Sequence, residues 1–153
     1  MSYILIGGTF DSLHRGHREF IRQAFVLGDK VLICLTSDDM VKEKPDFRDI
    51  GTYEKRKGKL ELFLREKGWI DKAEIVKIED PFTEGLRPEL THIVVSEETE
   101  KNAEKINDMR EDRNMKPLGL ILIKWVLSDD GKPISDARIR SGEIDSEGRL
   151  RKG

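Results

Sequence analysis

The chain is poor in the residues that build metal and redox centres. Of its 153 residues one is cysteine and three are histidine. A single thiol cannot close an internal disulfide, and one Cys with three His falls short of a zinc cluster. A Mg²⁺ ion held by carboxylates is not excluded. Cys34 lies within an apolar run and reads as a small buried hydrophobe in a reduced protein. No apolar segment is long enough to span a bilayer, and the N-terminus lacks a basic region followed by a long apolar stretch. A cytoplasmic, unprocessed chain with no membrane partner is expected. An excess of one charge is also missing. Lys plus Arg number 28 and Asp plus Glu 30, a net charge of -2, so no nucleic-acid partner is expected. Two familiar phosphate-binding fingerprints are absent: G-x-G-x-x-G and G-x-x-x-x-G-K-[ST].

What is present is charge and alternation. Charged residues make up 38% and hydrophobic residues 37%, a composition of very soluble and heat-adapted proteins. The length predicts one domain, residues 1–153. Tyr3–Ile6 reads as a strand and Arg18–Leu27 as a helix with a 3.6-residue apolar stripe, closed by Gly28. Lys30–Thr36 is a β-branched-rich run that suits a strand buried on both faces. Ser37–Lys44 reads as a short helix or loop, Pro45–Gly51 as a loop and Thr52–Lys67 as a second long helix. Glu74–Ile78 and His92–Ser96 read as strands, separated by an irregular stretch with Pro81, Gly85 and Pro88. Glu97–Met115 is a charged helix. Leu118–Leu127 is the most apolar segment and is expected to be the central strand. A turn over Ser128–Pro133, a short helix over Ile134–Ser141 and a tail from Arg149 complete the chain. The order predicts an α/β, Rossmann-like doubly wound sheet of about five parallel strands with flanking helices.

Chemistry concentrates in Gly7-Gly8-Thr9-Phe10-Asp11-Ser12-Leu13-His14-Arg15-Gly16-His17, the turn between the first strand and the first helix. In open α/β sheets such turns lie at the ligand-binding edge. Free N–H groups at the following helix start favour an anion, most naturally a phosphate. Glycine lets backbone approach a ligand closely. His14 and His17, three apart at a helix start, face the same way and can both donate to phosphoryl oxygens. A polar cap is the structural alternative for the histidines.

Gly8-Thr9-Phe10-Asp11 followed by His14-Arg15-Gly16-His17 resembles the signature of the HxGH nucleotidyltransferase superfamily. Ile134-Ser135-Asp136-Ala137-Arg138-Ile139-Arg140 is similar to its second motif, I-S-S-T-x-x-R, with Asp136 and Ala137 in place of Ser and Thr. Lys132–Asp145, Ile93–Thr99 and Lys116-Pro117-Leu118 resemble the archaeal phosphopantetheine adenylyltransferases over nearly the whole length. The resemblance implies adenylyl transfer from ATP to 4′-phosphopantetheine, giving dephospho-coenzyme A and pyrophosphate, with Mg²⁺ entering with ATP. It implies catalytic roles for His17, His14 and Lys42, and acceptor-phosphate binding by Thr9 and Lys42, with Lys44 as the alternative lysine. It places Gly8, Phe10, His14, Gly16, His17, Ser96, Ser135, Arg138 and Arg140 around ATP, and no protein-held metal.

Asp11 is expected to shape the turn. Asp136, a carboxylate among phosphates, is expected to point away or to meet a basic neighbour or Mg²⁺. Lys55 and Arg56 fit either the pocket or the surface, and Trp125 is expected in the core. Two other readings stay open: another HxGH enzyme, of cytidylyltransferase or FAD synthetase type, and a non-catalytic module that binds nucleotide or coenzyme A. The cytidylyltransferase segment R-T-x-G-I-S-T-T is missing. No apolar surface stripe stands out, so a monomer is expected.

Overall fold

Six residues, Tyr3–Gly8, form β1 at the middle of the molecule. Tyr3 and Leu5 point to one face of the sheet, Ile4 and Ile6 to the other, the two-residue period of a strand. All four are buried, as a parallel strand covered on both sides requires. The computed structural model describes residues 1–151. The other strands are β2 (Lys30–Thr36), β3 (Ala73–Ile78), β4 (His92–Val95) and β5 (Gly119–Leu122). They pair in parallel in the order β3-β2-β1-β4-β5.

Helices cover both faces. On one, α1 (Arg15–Leu27) packs Ile21, Ala24 and Phe25, and α3 (Tyr53–Glu66) packs Leu60, Phe63 and Leu64, against Ile4, Ile6 and Ile33. On the other, α4 (Glu100–Asp112) packs Ala103 and Ile106 against Leu5, Leu32 and Ile93. Each fully buried Leu, Ile or Phe contributes about 1.5–3 kcal/mol, so these two layers hold the sheet. Short helices α2 (Asp38–Val41) and α5 (Asp136–Arg140) sit elsewhere. No helix among the described residues is long and apolar enough to cross a membrane.

The strand order fixes where a ligand goes. From β1 the chain moves outward through β2 and β3, then returns to the other side of β1 for β4. The loops leaving β1 and β4 therefore diverge, and the crevice between them opens beside the turn after β1.

Several local expectations change. Leu118–Leu127 is not the central strand. Only Gly119–Leu122 is strand, and it lies at the edge of the sheet. Leu120 and Leu122 are 40% and 50% exposed, while Ile121 and Ile123 pack on the core. Apolarity measured one covered face plus an outward leucine pair, and it could not distinguish an edge from a centre. The first helix starts at Arg15, not Arg18, because His14 acts as its cap. Arg149–Arg151 is not a tail: Ile144 and Leu150 pair as an antiparallel bridge, and the Arg151 N–H donates to Glu143 O at 3.1 Å. The end of that expected tail, residues 152 and 153, lies outside the described residues.

Candidate active site

The turn after β1 is wound tightly. Phe10 and Leu13 take φ of 48° and 46°, a left-handed conformation that costs a bulky residue about 1–3 kcal/mol. Both side chains are buried, and that burial holds them there. Asp11 Oδ1 accepts the Gly51 N–H at 2.9 Å, so Asp11 does shape the turn. Two glycines make room. A Cβ on Gly8 would stand 3.0 Å from the Phe10 ring, and one on Gly16 would stand 2.8 Å from His14 Cε1. Any side chain at 16 displaces a histidine.

His14 caps α1, with its Nδ1 accepting the His17 N–H at 3.2 Å. In the neutral ring that places the proton on Nε2, leaving an outward donor. The two imidazoles stack, centroids 3.7 Å apart and planes 18° apart, and Phe10 meets His17 edge-on at 5.3 Å. Burial lowers the His14 pKa, with nearby Asp136 opposing more weakly. Burial, reinforced by His14, pushes His17 down to about 3. Both rings are therefore neutral donors near pH 7. Nδ1 of His17 is buried without a partner, the one such side-chain atom among the described residues. Orphaned buried polar atoms need an explanation, and functional sites supply one.

Beside the pair lies a hydroxyl and a cation. Lys44 Nζ donates to Thr9 Oγ1 at 2.9 Å, and Thr9 Oγ1 lies 3.0 Å from Thr36 Oγ1. Beneath them Arg56 is completely buried. It donates to Gly51 O (2.9 Å), Thr9 O (3.2 Å), Thr36 O (2.8 Å) and Thr36 Oγ1 (3.3 Å). Asp38, 3.4 Å away, is its carboxylate partner. Arg56 is thus neither surface nor pocket wall; it ties the ends of β1 and β2 to the start of α3. The structure does not bring Lys42 to this place. Lys42 follows directly on α2, pairs with Asp39 at 3.4 Å and is 67% exposed. Lys44, two residues on, reaches the cleft instead. Hydropathy could not fix that register, because both lysines sit in one charged loop.

The C-terminal motif arrives from 124 residues away: Ser12 Oγ donates to Asp136 Oδ1. Asp136 therefore does not point away. It faces the histidine pair, and one atom each of His14, His17 and Asp136 lies within 4.8 Å of the others. Ser135 lines the cleft and caps α5, accepting the Arg138 N–H at 3.3 Å. Arg138 and Arg140 do not line the cleft. Arg138 binds Asp130 (2.5 Å), Ser128 Oγ (2.9 Å), Pro133 O (3.0 Å) and Glu143. Arg140 pairs with Asp11 at 3.5 Å and with Asp46. Acidic neighbours draw Arg138 into holding the C-terminal segment together and Arg140 into fastening that segment to the turn.

Gly8, Thr9, Phe10, His14, Gly16 and His17 all line one cleft of about 550 Å³, which also takes in Lys44, Ser96 and Ser135. That volume suits a nucleotide-sized ligand. Trp125 is a wall of this cleft rather than core, and its Nε1 donates to Glu97 at 3.2 Å. Lys124, also in the wall, was missed. The signal for it is positional: residues just after a parallel strand reach the ligand edge. Cys34 lines the apolar floor, and burial pushes its thiol up to about 12, far from a reactive thiolate.

Comparison with known proteins supplies a family. The sequence profile described as cytidylyltransferase-like matches residues 5–142. A phosphopantetheine adenylyltransferase of Methanosarcina barkeri is 39% identical over 99% of this chain and 94% of its own length. Another, from Pyrococcus abyssi, is 44% identical over 95% of this chain and 92% of its own length. A crystal structure of an Archaeoglobus fulgidus protein of unknown function superposes with a TM-score of 0.71 at 31% identity, covering 80% of this chain and 89% of that one.

Proposed function

This chain belongs to the cytidylyltransferase-like family, and from its near-full-length likeness to the archaeal enzymes we infer that it is a phosphopantetheine adenylyltransferase. It joins the adenylyl group of ATP to the phosphate of 4′-phosphopantetheine and releases pyrophosphate, giving dephospho-coenzyme A. A phosphate oxygen of the acceptor forms a bond to the α-phosphorus. The bond from that phosphorus to the bridging α–β oxygen breaks, and its electron pair leaves with pyrophosphate.

The observation that carries the site assignment is the placement of two neutral, stacked imidazoles beside the Thr9–Lys44 pair in one cleft. The attacking phosphate is already an anion, so no general base is needed. Catalysis is positioning plus stabilisation of charge as it develops. Lys44 and the Thr9 hydroxyl hold the acceptor phosphate; an ammonium on a flexible stem can follow a phosphoryl group as it moves. His17 donates to the α-phosphate in the transition state. His14, its proton fixed on Nε2, donates to the neighbouring phosphate oxygens. Ser96, Ser135 and Trp125 line the nucleotide's part of the cleft. Arg56 is a positioning residue acting through Thr9. Mg²⁺ bound with ATP supplies neutralisation of the triphosphate charge.

The test follows pyrophosphate release with 4′-phosphopantetheine plus ATP or CTP in the presence of Mg²⁺. ATP-dependent turnover is expected. No turnover, or better turnover with CTP and a polyol phosphate, overturns the reading.

A further inference from the structure

The cleft carries the wrong charge for its proposed guests. Its wall holds two lysines, Lys44 and Lys124, and five carboxylates, of which Asp46 and Glu84 are paired with Arg140 and Arg87 while Asp80, Glu98 and Asp136 form no ion pair among the described residues. Both proposed substrates are polyanions. Of the five carboxylates, Asp136 alone stands with the histidine pair among the described residues. The arginines of its own helix are committed to Asp130, Glu143, Asp11 and Asp46, and Asp136 forms no ion pair among the described residues. Its Oδ1 accepts from Ser12, while Oδ2 has no hydrogen-bond donor there.

We propose that Asp136 is a ligand for the divalent cation that enters with the nucleotide, so that this chain takes up metal–ATP and rejects the metal-free triphosphate. The inference rests on the adenylyl-transfer reading. Ser12 anchors the carboxylate with one oxygen turned to it and the other left for a cation. A hard cation such as Mg²⁺ takes oxygen ligands and keeps some waters, so one carboxylate together with phosphate oxygens is sufficient. The histidines are not its ligands. Their rings lie face to face at 3.7 Å and 18°, so their in-plane lone pairs run side by side and cannot converge on one ion. A bare triphosphate would meet an uncompensated carboxylate. At a separation of several Å in a partly wet cleft that repulsion is worth about tenfold in affinity or more.

Calorimetric titration of the wild-type protein and of Asp136→Asn with ATP, in EDTA and in excess Mg²⁺, reads the effect. Wild type is expected to bind ATP at least about tenfold tighter with Mg²⁺. Asp136→Asn is expected to bring that ratio to about threefold or less, with metal-free ATP binding tighter than to wild type. Ser12→Ala, which keeps the carboxylate, should retain most of the wild-type ratio. An unchanged ratio in Asp136→Asn overturns the proposal, because a purely structural aspartate would weaken both forms alike. Should that variant fail to fold, pulsed EPR of wild-type protein labelled with ¹³C-carboxyl aspartate, bound to Mn²⁺ and a non-reacting ATP analogue, decides. A ¹³C coupling to the metal is expected, and its absence overturns the proposal. Failure of wild type to bind ATP under either condition sinks the adenylyl-transfer reading itself.

Discussion

Replacing Arg56 with lysine tests how far the site depends on one buried cation. The guanidinium reaches Gly51 O, Thr9 O, Thr36 O, Thr36 Oγ1 and Asp38. These acceptors lie on the loop before α3, at the end of β1 and at the end of β2 and beyond. A lysine donates from a single point and cannot span them. A hydrogen bond to a charged group contributes about 1.5–3 kcal/mol, and each buried acceptor left unpaired costs about 1–3 kcal/mol. Breaking a buried charged network of this kind costs about 3–5 kcal/mol. For a chain of this length 1 kcal/mol moves Tm by about 2–4 °C, so Arg56→Lys should melt about 10 °C lower. Urea unfolding followed by circular dichroism, together with scanning calorimetry, measures both. Catalysis should change selectively. Freeing the Thr9 carbonyl shifts the Thr9–Lys44 pair, so KM for phosphopantetheine rises more than KM for ATP. A loss under about 1 kcal/mol with both KM values unchanged would refute the assignment of Arg56 as the anchor.

His17→Ala should lower kcat about 10²–10³-fold while ATP affinity falls less than tenfold, since its bond matters most in the transition state; single-turnover kinetics and calorimetry separate the two. Lys44→Ala should raise KM for phosphopantetheine at least about tenfold, whereas Lys42→Ala, removing only an exposed pair with Asp39, should stay within about twofold. Gly16→Ala should disturb His14, which the added methyl meets at 2.8 Å, and cost activity at unchanged secondary structure, read by steady-state kinetics and circular dichroism. The histidine pair also sets a pH dependence of stability. Burial lowers His14 below 6.5 and takes His17 to about 3, so between those values the unfolded chain binds more protons. The stability is complete above about pH 6.5 and is lost as pH falls toward 3. Urea midpoints at pH 7.5 and 5 should show the drop, and His17→Gln should flatten it.

Much of this was legible in the sequence. The β/α alternation is carried by runs such as Lys30–Thr36, whose buried β-branched residues admit few alternatives. The glycine-histidine corner was legible because glycines and histidines at this spacing mark a tight strand-to-helix turn, and the structure brings Gly8, His14, Gly16 and His17 into one cleft. What escaped depended on register or on partners distant in sequence. Lys42 and Lys44 differ only in which side of a short helix end they leave. Arg138 and Arg140 carry charge suited to phosphates, and nothing local reveals that Asp130, Glu143, Asp11 and Asp46 claim them. Asp136 was expected to point away or to meet a basic neighbour or Mg²⁺, and nothing local reveals that Ser12, far off in sequence, holds it beside the histidines. The edge position of β5 follows from the return of the chain across β1, which no local apolar pattern encodes.

The tie between the two ends of the site has a consequence for the birth of the protein. Arg18 bonds Glu147, the Arg15 N–H donates to Ser146 O at 2.8 Å, and Arg140 pairs with Asp11. A nascent chain therefore displays His14 and His17 well before Ser135, Asp136 and the clasp over the turn emerge. Contacts of such long sequence separation form late, after the entropy of closing the loop has been met. A fragment that stops before Ser135 would be a sheet with an unfinished corner, unable to turn over ATP. Truncation before Ser135 should return the protein to that juvenile condition.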